Sequence, residues 1–134
     1  MLASRTEIFA ARAKIWNTYH VRLQRLSSLG KLLLPTIPAN CTHNSHIYYI
    51  RVLDNEHFMR LAALSKERKI GIFTHYIPLH LSSGGKKYGR VCGSMVEAKA
   101  CSDELYRLPI WVGLKDEEID KVVTLVYEAM GVKE

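Results

Sequence analysis

The sequence predicts an α/β fold, a small three-stranded sheet with helices packed on it. Segments with apolar residues at helical spacing alternate with three short runs rich in β-branched and aromatic residues. The resulting order is helix, strand, helix, strand, helix, strand, helix, with no repeat or low-complexity stretch. Each amphipathic helix needs a surface to cover, and a small sheet supplies one. The 134 residues fit a single domain, 1–134: a long leading helix over about 4–29, then a small α/β unit over about 45–131.

Ser4 and Glu7 stand at capping-box spacing and mark the start of the first helix. Ile8, Ile15, Tyr19, Leu23 and Leu26 form one apolar stripe, widened by Phe9 and Trp16, and Gly30 stops the helix. Arg12 lies inside that stripe. Either it snorkels to water or this face meets a second packing partner. Leu34-Pro35-Thr36-Ile37-Pro38 is an extended connection. His46 to Leu53 reads as a strand, apolar on both faces apart from Arg51 and therefore largely covered. Asp54 or Asn55 caps the next helix, whose buried side is Phe58, Leu61, Ala62 and Leu64. Lys66, Arg68 and Lys69 suit the negative end of its dipole.

Ile70 to Tyr76 is the second strand, and Ser82-Ser83-Gly84-Gly85 breaks the chain into a loop. Met95 to Glu104 is a short helix. Leu105 to Trp111 is the third strand, which Pro109 pushes toward an edge or a strand end. The last helix starts near Asp116, buries Ile119, Val122, Val123, Val126 and Met130, and stops at Gly131.

The net charge is +6 and unevenly spread. Residues 1–53 carry seven Lys/Arg against Glu7 alone, while residues 100–134 carry four against eight Asp/Glu. A basic face attracts phosphate-bearing ligands or nucleic acid, or is simply solvated. No regular interleaving of aromatics with cations marks a nucleic-acid surface, so that partner is ranked low. No apolar run approaches the ~20 residues of a membrane span, and no apolar leader core follows Met1, so the chain reads as cytoplasmic. Cys41, Cys92 and Cys101 are odd in number and irregular in spacing, which points to reduced, partly buried thiols. Cys41, His43 and His46 lack the further ligands a structural zinc needs, so no metal is expected.

Four segments carry a family resemblance. IWNTYHVRL (Ile15–Leu23) resembles a W-x-x-Y helix, and LPTIPANCTHNSHIYYIRV (Leu34–Val52) the HNxH entry into a small domain. KIGIFTHYIPLHLSSGGKKYGR (Lys69–Arg90) matches an HY-x-PLH pattern, and SDELYRLPIWVGLKDEEIDKVV (Ser102–Val123) an RLP pattern followed by paired acidic residues. In this order they resemble the C-terminal part of the DegT/DnrJ/StrS sugar-nucleotide aminotransferases, and within them the transaminases that make dTDP-4-amino-4,6-dideoxygalactose. Lys115 stands where the family often has Ser or Thr, and the family's proline near Cys92 to Ala100 is missing.

The resemblance implies the small, mainly antiparallel domain of a fold-type I enzyme that uses pyridoxal phosphate (PLP). The reaction it implies is amino transfer from glutamate to a dTDP-4-keto-6-deoxy sugar, for lipopolysaccharide or another cell-surface polysaccharide, in a homodimer. It places the reactive lysine, the aspartate on the pyridinium nitrogen and the phosphate cup in a preceding domain. On that expectation this chain carries no catalytic residue, binds no cofactor alone and is inactive by itself. It implies substrate-facing roles for His75, Tyr76 and His80, and less directly for Asn44 and His46. Ser82 to Lys87 then becomes a candidate for the nucleotide end. The alternatives are a stand-alone nucleotide-sugar or nucleic-acid binding module, and a regulatory partner of a full-length aminotransferase.

Overall fold

The computed structural model describes residues 4–134. Strands Tyr48–Arg51 (β1), Phe73–Thr74 (β2) and Leu105–Leu108 (β3) form an antiparallel sheet in the order β1-β3-β2. Tyr48 faces Leu108 and Ile50 faces Tyr106 across the ladder, and all four are buried. Residues opposite one another share a face, so Tyr49, Arg107 and Phe73 lie together on the other side. That side is more open. Tyr49 and Arg51 are only half-buried, so the expected cover on both faces of β1 is supplied on one.

The inner face meets helices Arg5–Ser28 (α1), Asn55–Glu67 (α2) and Asp116–Ala129 (α5). Tyr19, Leu23 and Leu26 of α1, Leu61 of α2, and Val122, Val123 and Val126 of α5 are in the core. Ion pairs reinforce the layers: Arg22 of α1 holds Asp120 and Glu134, and Arg68 holds Glu128. Such exposed or half-exposed pairs are worth ~0–1 kcal/mol each, so burial does most of the stabilising. Helices α1 and α5 end alike. Lys31 N–H donates to Leu26 O and Val132 N–H to Tyr127 O, both 3.0–3.1 Å, with Gly30 and Gly131 at φ 69° and 68°. Asp54 caps α2, accepting from His57 N–H at 2.9 Å.

Several sequence expectations change. Ser4 precedes α1 but makes no side-chain cap bond. Of the apolar stripe on α1, Trp16 is buried, whereas Ile8 and Phe9 are open to solvent. The second strand shrinks to two residues because Ile70 N–H returns to Ser65 O at 2.9 Å to close α2. Strand β3 is central, so of the two placements expected for Pro109, an edge or a strand end, the strand end is the one that holds. Pro109 sits one residue beyond its ladder and therefore removes no ladder hydrogen bond. The expected loop at Ser82–Gly85 is a 3-10 turn (Leu79–Leu81) running into helix Ser83–Tyr88 (α3). Helix Val96–Glu104 (α4) then leads directly into β3. Cys41 and Cys92 are exposed, and only Cys101 is partly buried.

Candidate functional site

The segment entering β1 is fixed from three sides. Asn44 Oδ1 accepts the His46 N–H at 3.0 Å, closing an Asx turn. Ser45 sits in the left-handed region (φ 50°) and is buried, with its N–H directed at His43 Nδ1 at 3.3 Å. The His43 ring packs on Trp16 of α1, centroids 4.4 Å apart, and His20 stacks on the same indole at 4.8 Å. Arg12 donates to His46 O at 3.1 Å and to Ile110 O at 3.4 Å. Its place in the apolar stripe thus has contacts within the chain. Rather than running to water, it ties α1 to the start of β1 and the segment after β3, while its Nε is buried without a hydrogen-bond partner.

Asn44, His46 and His75 line one hollow of about 410 Å³, with Trp16, His43 and Tyr49. His75 reaches it because β2 ends at Thr74, which pairs with Tyr106 in the middle of the sheet. No Asp, Glu, Lys or Arg is among the lining residues of this hollow, whose titratable groups are the imidazoles of His43, His46 and His75 and the Tyr49 phenol. Nearby His20 has its pKa lowered, first by burial and then by His43. Tyr48, behind it, has its phenol pushed well above the usual range by burial, then by Tyr19 and Tyr49.

A second groove of about 760 Å³ meets the first at His46 and Ile47. Tyr76 lies in it, its ring 5.1 Å from the Arg107 guanidinium, and Phe73, Trp111, Lys69 and Lys121 complete its aromatic and basic character. Thus three of the five expected residues share one hollow, and Tyr76 lines the adjoining groove. His80 stands apart in the 3-10 turn and lines neither. The Ser82–Lys87 segment is not an open cradle of amides. Ser82 Oγ accepts Gly85 N–H at 2.9 Å and donates to Leu79 O at 2.8 Å, so the two polar groups of greatest interest satisfy local partners. Tyr49, Arg107 and Trp111 are additions from the structure. Alternation along β1 and β3 was the only sequence signal that put Tyr49 and Arg107 on one face.

A family model described as the DegT/DnrJ/EryC1/StrS aminotransferase family matches residues 1–127. The chain belongs to that aminotransferase family. Uncharacterized protein MJ1066 of Methanocaldococcus jannaschii is 29% identical over 118 residues, covering 85% of this chain and 29% of that one. The aminotransferase TlmJ from Streptoalloteichus hindustanus superposes with a TM-score of 0.80 at 27% identity, covering 97% of this chain and 34% of TlmJ. NtdA of Bacillus subtilis, solved with bound cofactor PMP, shares the fold at a TM-score of 0.76 and 21% identity, covering 92% of this chain and 28% of NtdA. The chain therefore spans about a third of the length of the proteins it matches.

PLP needs a lysine for its aldehyde, a carboxylate at its ring nitrogen and a phosphate cup. The hollow of about 410 Å³ is lined by neither lysine nor carboxylate. Lys69 and Lys121 of the larger groove stand in solvent, where an imine is open to hydrolysis. Glu118 also lines that groove, but neither hollow offers a lysine shielded from water, and no step of amino transfer is assigned to these residues. No described helix is long and apolar enough to cross a membrane.

Proposed function

We propose that this chain is the substrate-facing small domain of a PLP-dependent nucleotide-sugar aminotransferase. The reaction is amino transfer from glutamate to a dTDP-4-keto-6-deoxy sugar for cell-surface polysaccharide, in the cytoplasm and within a homodimer. The cofactor-bearing portion lies outside these 134 residues, and the chain alone is inactive. One observation carries this reading: Asn44, His46 and His75 converge on a hollow free of carboxylates, beside a basic and aromatic groove. Imidazole and amide groups hydrogen-bond sugar hydroxyls in either direction. In the larger groove Arg68, Lys69, Arg107 and Lys121 outweigh the single carboxylate, Glu118, which suits a ligand that carries two phosphates. Tyr76 and Trp111 offer ring faces for a base, with Lys69 and Lys121 near enough to meet the diphosphate. His80, outside both hollows, reaches substrate only if its turn moves.

The test is titration of the isotopically labelled chain with dTDP and with a dTDP-4-keto sugar. Resonances of Asn44, His46, His75 and Tyr76 are expected to shift, and His75→Ala to weaken the sugar-dependent shifts. Shifts confined to other surfaces overturn the assignment of the site. The chain mixed with PLP is expected to lack a stoichiometric internal-aldimine band. Unaided turnover of an amino sugar by the chain ends the small-domain reading.

A further inference from the structure

We infer that His43 is a positioning residue that holds the Asn44–His46 turn only while its ring is neutral, making the candidate site sensitive to acid. Donor chemistry supports this. A backbone N–H can only donate, so the 3.3 Å contact from Ser45 N to His43 Nδ1 requires an Nδ1 without a proton. The Ser45 hydroxyl approaches the same nitrogen at 3.5 Å and can donate there too. Protonating Nδ1 sets a donor against a donor and removes the acceptor that stabilises Ser45 in its left-handed conformation (φ 50°). Ser45 stands between Asn44 and His46, both of which line the hollow, so releasing it re-aims both.

The groups that face the ring are mostly cationic or neutral. Around His43, α1 presents Arg5, Arg12 and His20, the loop His46, β1 Tyr48 and Tyr49, and the segment after β2 His75. Arg51 approaches the His20 side and is already paired with Glu104. No carboxylate lines the hollows that touch His43 or His20. His43 and His20 sit against one indole, and His20 Nδ1 is buried without a hydrogen-bond partner. A cation on Trp16 would find no anion among the residues lining these hollows.

The importance of this turn for substrate rests on the aminotransferase reading, but the turn itself is measured without substrate. The experiment follows Ser45 and His46 amide protection and Trp16 fluorescence between pH 8 and 5, in a Trp111→Phe background. In the parent chain the Ser45 protection factor is expected to fall roughly fivefold as histidines protonate, the ratio set by one hydrogen bond of about 1 kcal/mol. His43→Asn places a non-titrating amide oxygen where Nδ1 stood, so the turn is expected to hold across the whole range. His43→Phe keeps the ring on Trp16 without an acceptor, so the turn is expected to be loose at every pH. The inference is overturned if His43→Asn retains the parent's acid transition, if His43→Phe protects Ser45 as well as the parent at pH 8, or if the parent shows no transition. None of these results bears on whether nucleotide sugars bind.

Discussion

Tyr19 and Tyr48 are both fully buried and lie against each other, ring centroids 5.3 Å apart, yet removing their hydroxyls is expected to have opposite effects. Tyr19 donates to Pro109 O at 3.0 Å. Tyr19→Phe loses that bond and leaves a partly buried carbonyl short of a donor, a cost of about 1–2 kcal/mol. The Tyr48 hydroxyl is buried with no hydrogen-bond partner. Tyr48→Phe therefore removes an unpaid desolvation cost and is expected to stabilise by about 1 kcal/mol. The separation between the two variants is about 2–3 kcal/mol. With a urea slope of ~2 kcal/mol/M, the midpoints should differ by about 1–1.5 M. Urea unfolding followed by far-ultraviolet circular dichroism measures both in one series. Equal shifts in the same direction would refute the assignment of one satisfied and one orphan hydroxyl.

Arg12→Met keeps the apolar stem but loses the bonds to His46 O and Ile110 O. It should cost about 1–2 kcal/mol in urea and broaden the His46 amide signal. A change under about 0.5 kcal/mol, typical of surface substitutions, would return Arg12 to the status of a solvated cation. Asp54 has its pKa lowered, chiefly by the His57 N–H bond. Its contribution is complete above the ordinary carboxylate range and vanishes as pH falls through the depressed value. The stability gap between the parent and Asp54→Ala should therefore close in strong acid, and a gap constant with pH would count against the cap. Gly84→Ala meets nothing within 4 Å and should gain up to about 1 kcal/mol of helix propensity. Gly85→Ala would place its Cβ 1.7 Å from Leu79 O and should disrupt α3, seen as lost amide protection over Ser83–Tyr88.

Local chemistry decided what could be read from the sequence. Helix α5 was legible because its apolar positions and its acidic first turn lie within one segment. Helix α3 was not, because its two glycines argue against helix. What secures its first turn is the Ser82 hydroxyl on Gly85 N–H, a three-residue contact that composition does not show. The length of β2 depended on where α2 spent its last carbonyls. The small antiparallel sheet agrees with what the family resemblance implied. At the site, Asn44, His46 and His75 came from that resemblance. Trp16 read only as one more member of an apolar stripe, and Tyr49 as one more strand residue. Their meeting beside His75 depends on strand register and on α1 crossing the start of β1, and neither is written in spacing along the chain.

The strand that joins the sheet is the last of the three to be synthesised. Until Leu105–Leu108 leaves the ribosome, β2 has no ladder partner and β1 has only the bridge from Arg51 to Leu33. A nascent chain halted before that point presents two largely unpaired strands, the kind of surface that invites aggregation and that chaperones shield.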